Sequence, residues 1–411
     1  MRNPALNPPN SKLDATKSGA EPTPAPTIPA TSIPMLDLRA EFAEIEGEVR
    51  AALEEVLVAQ QFILGPQVGA FEQELAEYSG RRLGVGVASG TDALILSLRA
   101  CGVRPGDEVI VPTFTFVATA GAVSALGARP VFADSEPETL NIDPDSVESH
   151  VTSRTKAIIA VHLYGLGADL APLMEIASRH NVALIEDNAQ SLGGTYQGRK
   201  LGSFGTLATT SFYPSKNLGA FGDGGMILTD SEQIATRLAR LRNHGQNGRY
   251  VSSEPGWNSR LDEMQAAVLR IKLRHLERSI AARRAHAERY TKRFRGLPGV
   301  RTPQAPAGRE HSYYLYTLRI ASDTSKAGAA KLSSRCDRVA ERLTECGIAS
   351  AVFYPVPLHL QPLYAALGGK PGDLPVAERA AHEVLSLPLY PSMTADQIDC
   401  VAGHVEEVLR K

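Results

Sequence analysis

Cysteine is scarce in this chain. Its 411 residues include four, Cys101, Cys336, Cys346 and Cys400, and no two form a CxxC pair. That spacing argues against a disulfide framework and a cysteine-based metal site, and it fits free thiols in a reducing, cytoplasmic compartment. The ten histidines form no HExxH or comparable ligand pattern, so no metal is expected. An excess of charge of one sign is also missing. Lys and Arg total 43 against 45 Asp and Glu, for a formal net charge of −2. A nucleic-acid-binding surface spread over the protein is therefore not expected. The basic stretch from Arg270 to Arg284 alternates with apolar residues at helical spacing and reads as a solvated helix face. No apolar run approaches the roughly 20 residues of a membrane-spanning helix. Gly165-Leu-Gly-Ala-Asp-Leu170 resembles half of a dinucleotide-binding fingerprint, but the third glycine and the ribose-binding acid are absent.

What is present begins with composition. Residues 1–33 are rich in Pro, Ala, Ser and Thr and carry no apolar segment of signal-peptide type, so a disordered tail is expected. From Ile33 onward the pattern becomes periodic. Strand-like runs at Gly84–Ala88, Glu108–Val111, Pro130–Ala133, Ala157–His162, Ala183–Glu186, Leu207–Phe212 and Gly225–Thr229 alternate with helical runs. Alternation of this kind predicts an α/β fold, a mostly parallel sheet with helices on both faces. A long helical pattern from Leu261 towards Phe294 contains no Pro or Gly and reads as a bridge. Beyond Leu297-Pro-Gly299, a strand at Tyr313–Ile320, a helix at Cys336–Cys346, a strand at Ser350–Tyr354 and two final helices predict a smaller α+β domain. The expected division is a large domain over 34–275, then the bridging helix and small domain over 276–411.

Several candidate residues follow strand-like runs, at the sheet edge where open α/β folds keep ligands. Lys216, in Ser211-Phe-Tyr-Pro-Ser-Lys-Asn217, lies between a strand and the glycine-rich turn Gly222-Asp-Gly-Gly225. A desolvated lysine there would attack a carbonyl carbon; an exposed one would only decorate a loop. Ser89-Gly-Thr-Asp-Ala93 opens a helix, which makes Gly90, Thr91 and Asp92 either a phosphate cradle or an ordinary N-cap. Asp187 and Gln190 follow Ala183–Glu186 and would face a cationic nitrogen and a hydroxyl, or cap a turn. Glu186 should point to the opposite face and be structural. Phe116 would stack on a flat ring or fill the core. Together, a phosphate cradle, an acid for a ring nitrogen, a stacking aromatic and a Schiff-base lysine are what pyridoxal 5′-phosphate (PLP) requires.

These motifs, with Ile33-Pro-Met-Leu-Asp-Leu38, Glu186-Asp-Asn-Ala-Gln190 and Asn258-Ser-Arg-Leu-Asp-Glu-Met-Gln-Ala266, resemble the DegT/DnrJ/EryC1/StrS sugar aminotransferases. That branch belongs to the fold-type I PLP-dependent transferases, and the resemblance runs from Ile33 to about Leu409. It implies that Lys216 bonds the cofactor and later moves the proton. It gives Asp187 the pyridinium nitrogen, Gln190 the ring hydroxyl, Phe116 the ring face, and Gly90, Thr91, Asp92 and Ser211 the phosphate. Asn258 matches a residue that reaches the partner subunit's cofactor, which implies a homodimer with shared active sites. His244, Gln246, Arg249, Tyr250 and His359 match substrate loops. Lysine at position 216, where the family's dehydratases carry histidine, implies transamination. Asn188 departs from the commoner alanine. Val161-His-Leu-Tyr-Gly165 and Tyr354-Pro-Val-Pro-Leu-His-Leu360 are more similar to enzymes acting at C3 than at C4 of a nucleotide-linked keto-sugar, with L-glutamate as donor and dTDP as the expected nucleotide. A C4 aminotransferase, a sugar dehydratase and a non-catalytic PLP-binding regulator are the alternatives.

Overall fold

A computed structural model describes residues 32–321 and 334–410. The tail expected over 1–33 thus lies almost entirely outside the described residues. At its end, Ile33 is buried and its backbone bonds to Gly347 and Ala349.

The helices are α1 (Leu38–Ala59), α2 (Pro66–Tyr78), α3 (Gly90–Ala100), α4 (Ala118–Ala125), α5 (Pro144–Ser149), α6 (Leu170–His180), α7 (Glu232–Leu241), α8 (Glu263–Phe294), α9 (Arg335–Glu345), α10 (Pro375–Glu383) and α11 (Ala395–Leu409). The strands are β1 (Leu83–Val87), β2 (Glu108–Pro112), β3 (Arg129–Ala133), β4 (Thr155–Val161), β5 (Ala183–Asp187), β6 (Thr195–Tyr196), β7 (Arg199–Lys200), β8 (Leu207–Ser211), β9 (Gly225–Thr229), β10 (Val300–Arg301), β11 (Arg309–Glu310), β12 (Tyr316–Ile320) and β13 (Val384–Leu387).

Seven strands form the main sheet in the order β1-β9-β8-β5-β4-β2-β3. The pairs β2/β3, β2/β4, β4/β5 and β5/β8 are parallel, as the alternation predicts. Strand β9 runs against both neighbours, so β1 and β8 point the same way. The carboxyl ends of β1, β8, β5 and β2 therefore share one edge of the sheet. Strands such as β4, Thr-Lys-Ala-Ile-Ile-Ala-Val, are buried nearly throughout, as a sheet covered on both faces demands.

Local chemistry sets the helix ends. Ser89 Oγ accepts the Asp92 N–H at 3.1 Å and starts α3. The start of α2 has no cap of its own. Glu263, at the head of α8, reaches across to accept the N–H groups of Gln67 and Val68 at 2.9 and 2.8 Å.

Helix α8 joins two cores. Its Leu276 and Ile280 pack with Phe71 and Phe212 beneath the main sheet. Further along, Ala287, Tyr290 and Phe294 pack with Tyr316, Val339 and Val401 around a second sheet of order β10-β12-β13.

Two expectations for this second sheet are corrected. Ser350–Tyr354 is not a strand; it makes a single bridge, Ala351 to Ser386. Pro355 and Pro357 follow immediately and cannot donate to a ladder. The partner of β12 is instead β13, a four-residue buried strand, Val-Leu-Ser-Leu, between the two final helices.

Candidate active site

The phosphate-cradle candidates meet where β1 and β8 end. A Cβ added to Gly90 would stand 2.6 Å from Ser211 Cβ and 3.1 Å from Ser211 Oγ. Glycine is thus required for α3 to begin against the end of β8. A Cβ on Gly225 would meet the Ser89 carbonyl oxygen at 2.4 Å, which explains the glycine pair after Asp223. Ser211 Oγ, the exposed Thr91 and the first-turn N–H groups of α3 lie together, and a helix N-terminus so placed favours an anion.

Asp187 closes β5 and is 6 % exposed. Its carboxylate accepts the Ala189 N–H at 3.2 Å and the Thr119 hydroxyl at 3.4 Å. Burial pushes its pKa above the usual carboxylate range, opposed by the Ala189 N–H and the charge of nearby Lys216. A cation brought against it would be strongly favoured.

Glu186 does point to the other face. It is fully buried and accepts the N–H groups of Gly202, Phe204 and Gly205 at 2.7–2.8 Å, with His162 Nε2 at 3.1 Å and Arg81 at 3.6 Å. Burial works to raise its pKa, but His162 and the glycine N–H groups outweigh it and hold the carboxylate below its ordinary range. Asn188 is likewise spent on structure. Its amide donates to Leu201 O at 3.1 Å, and the side chain stays clear of Asp187 and Gln190.

Lys216 sits half-buried in the turn after β8. Its Nζ lies 4.6 Å from the centroid of the Tyr314 ring, a cation–π contact. Gln190 accepts the Tyr164 N–H at 2.8 Å and donates to the Tyr354 hydroxyl at 3.1 Å. Phe116 is 54 % exposed and tilted at 39° to Tyr354, with ring centroids 6.2 Å apart. Phe116 is therefore not part of the core.

Three tyrosines at this site, Tyr164, Tyr314 and Tyr354, were not singled out individually from the sequence. Two of them lie within motifs that bear on the substrate, but no local signal separates Tyr314 from its neighbours. Arg283 fixes the turn that carries it. This guanidinium is buried in α8 and donates to Leu389 O at 2.7 Å, with the Tyr313 and Tyr314 carbonyls at 3.4 and 3.5 Å. Burial pushes its pKa down to about 10.

The substrate-loop candidates separate. His244, Arg249 and Tyr250 lie exposed on a loop whose Gln246 bonds to Asn243 and whose base pairs Asn243 with Asn258. Among the described residues, no hydrogen bond or ring contact joins this loop to Lys216 or Asp187 of the same chain. Asn258 is exposed beside Ser259, whose hydroxyl takes the Ala88 N–H at 3.3 Å.

His359, expected to contact substrate, is turned inward in this chain. The ring is 3 % exposed, Nδ1 bonds Thr113 Oγ1 at 2.7 Å and Nε2 lies 3.2 Å from Glu378. Both nitrogens are engaged in holding the loop after Tyr354 against the end of β2.

No helix among the described residues is long and apolar enough to cross a membrane. No group of three or more potential metal ligands occurs among them either.

Comparison with known proteins agrees with this geometry. The chain is 45 % identical over 379 residues to the UDP-N-acetyl-3-dehydro-alpha-D-glucosamine 3-aminotransferase of Acidithiobacillus ferrooxidans, covering 92 % of this chain and 98 % of that protein. It is 43 % identical to the dTDP-3-amino-3,4,6-trideoxy-alpha-D-glucose transaminase of Streptomyces venezuelae, covering 92 % and 97 %. NtdA from Bacillus subtilis, solved with bound cofactor PMP, superposes with a TM-score of 0.82 at 32 % identity, over 90 % of this chain and 82 % of that one. Residues 43–406 match the family model itself. The chain belongs to the DegT/DnrJ/EryC1/StrS aminotransferase family.

Proposed function

We propose that this chain is a PLP-dependent aminotransferase that moves an amino group from L-glutamate onto C3 of a nucleotide-linked keto-deoxysugar. The observation that carries the reading is the convergence of Gly90, Ser211, Asp187 and Lys216 on one sheet edge. The residues present fit the cofactor. Gly90 leaves room that a Cβ would fill, beside the Ser211 hydroxyl at the start of α3. Asp187 is a buried carboxylate with Lys216 and His162 as its nearby positive groups, and its side chain accepts only weakly from Thr119, at 3.4 Å.

When bound, PLP supplies an electron sink that makes the proton on the adjacent carbon removable. The rest is the work of this chain's residues. Asp187 holds a ring nitrogen protonated, because a buried carboxylate gains most from a positive partner. Gln190, pinned by Tyr164 and Tyr354, presents its amide to the ring hydroxyl. Phe116 covers one face. Lys216 Nζ would hold the cofactor between turnovers and would be the base that carries the proton during them. Thr91, Asp92 through its backbone, and Ser211 hold the phosphate. Asn258 and the His244–Tyr250 loop, exposed in one protomer, serve the partner's site in a homodimer.

Action at C3 is supported by the two relatives, which are named for a 3-dehydro and a 3-amino sugar. The two are named for different nucleotides, UDP and dTDP. The test is to give the holoprotein L-glutamate and a small panel of 3-keto and 4-keto nucleotide sugars. Glutamate should bleach the visible cofactor band, and a new amine should appear at C3. Amination at C4 alone would replace this reading with the alternative. Lys216→Ala should lose both band and turnover; wild-type turnover in that variant would refute the mechanism.

A further inference from the structure

A cavity of about 520 Å³ is lined in part by Tyr164 and Tyr313 and by none of Lys216, Asp187, Thr91 or Ser211. Arg284, Thr291 and Arg295 of α8 and its cap line it, together with Arg301 of β10 and Arg319 of β12. We infer that this cavity binds a nucleoside diphosphate at a site distinct from the sugar-binding cleft.

Charge is the first argument. The lining holds four arginines against two glutamates, Glu138 and Glu288, although Arg284 is engaged by the His311 carbonyl at 2.9 Å and by Glu310 at 3.4 Å. Glu288 is already paired with Lys292 at 2.9 Å. The Arg301–Glu138 pair is long, at 3.2 Å, and both side chains are exposed, so exchanging it for a phosphate costs little. Arg295 has no side-chain partner among the described residues. Arg319 bonds Glu383 and the Pro137 carbonyl through its Nη atoms, yet its buried Nε has no acceptor. Guanidinium groups from separate elements suit a diphosphate, whose oxygens accept from planar forks.

Shape is the second. The volume is that of a typical small-molecule site, and Leu163, Leu166 and Leu315 give it an apolar part able to take a base.

The third is coupling to the catalytic edge. Tyr164 lines the cavity and gives its N–H to Gln190; Tyr313 lines it and precedes Tyr314, whose ring lies under Lys216. Both are non-glycine residues in the left-handed region, at φ 58° and 50°. Backbone held in that sparsely populated region tends to mark a functional or switching segment. Occupancy of the cavity would therefore bear on the residues that hold Gln190 and Lys216. The source of the ligand rests on the proposed function. Transfer of an amino sugar from its nucleotide carrier releases a nucleoside diphosphate, which would report downstream consumption back to this enzyme.

The test is calorimetric titration of the full-length holoprotein with dTDP, UDP and inorganic pyrophosphate. Wild-type protein should bind at least one nucleotide, and Arg295→Ala/Arg301→Ala should weaken that binding at least tenfold. The variant should keep its cofactor band, its urea midpoint and its KM for the sugar nucleotide. Arg295→Lys/Arg301→Lys should restore part of the affinity. Unchanged affinity in the double variant overturns the site, and so does a parallel rise in KM, because one cleft would then take both ligands. Pyrophosphate binding as tightly as the nucleotides overturns the base-binding half. Binding is read without turnover, so a failure to aminate any sugar leaves this result standing.

Discussion

Gly90→Ala isolates the phosphate cradle with the smallest possible change. The added Cβ would sit 2.6 Å from Ser211 Cβ and 3.2 Å from Ser211 Cα. Carbon pairs rest at about 3.5–4.0 Å, so about 1 Å of overlap must be relieved. Neither side yields easily. Gly90 is in the first turn of α3, and Ser211 is paired with Gly225 at the end of β8. Relief comes from separating the two, which moves Ser211 Oγ away from the helix N–H groups. Loss of one hydrogen bond to a charged group is worth about 1.5–3 kcal/mol. At about 1.4 kcal/mol per tenfold, that is a roughly ten- to hundredfold weaker hold on PLP. The apoprotein should also lose about 1–3 kcal/mol of stability from overpacking. The assay is titration of apoprotein with PLP, followed by the visible band, beside urea unfolding of the same samples. Gly69→Ala is the control, since a Cβ there meets nothing within 4 Å. Wild-type PLP affinity in Gly90→Ala would refute the cradle, whatever happens to stability.

Glu186→Ala strips the acceptor from three buried N–H groups and leaves Arg81 and His162 short of a partner; unfolding free energy should fall by about 3–5 kcal/mol in urea at neutral pH. Because folding lowers the Glu186 pKa from 4.5, its contribution is complete above that value and fades as pH falls through the folded pKa. The gap between wild type and Glu186→Gln should therefore shrink in acid, and a gap that widens there would contradict the assignment. His359→Ala should lower thermal stability while leaving KM for the sugar nucleotide unchanged; a KM effect without a stability effect would return His359 to the substrate. Asn258→Ala should weaken cofactor retention, and mixed dimers with Lys216→Ala should regain part of the activity. Stable mixed dimers with no regain would count against a shared site.

What could be read from the sequence divides along a physical line. Asp187, Ser211 and Gly90 were legible because each sits at the end of an apolar run, and parallel strands in a covered sheet put all such ends on one edge. Glu186 was legible for the same reason, through the alternation that sends neighbouring side chains to opposite faces. The length of α8 was legible because no residue in it breaks a helix. By contrast, β13 is four residues, Val-Leu-Ser-Leu, following a helix, and periodicity alone cannot tell that from one more helical turn. The inward turn of His359 was not legible because its partners, Thr113 and Glu378, belong to other elements, one of them 246 residues away.

The tyrosines make the same point about the site itself. Gln190 meets Tyr354 across 164 positions. Tyr314 reaches Lys216 because Arg283, from a different helix, holds the carbonyls of its turn. Strand ends bring one half of the site; the other half is brought by a buried guanidinium and by loops that cross from the second sheet. Such contacts leave no periodic trace, since a buried arginine in α8 reads like its solvated neighbours. The two halves should therefore differ in how they respond to change. On the proposed reading, substitutions at Gly90, Asp187 or Ser211 should act on cofactor binding directly. Substitutions at Arg283 act through the position of Tyr314, because losing the guanidinium frees three carbonyls of the segments that bring the second sheet against the catalytic lysine.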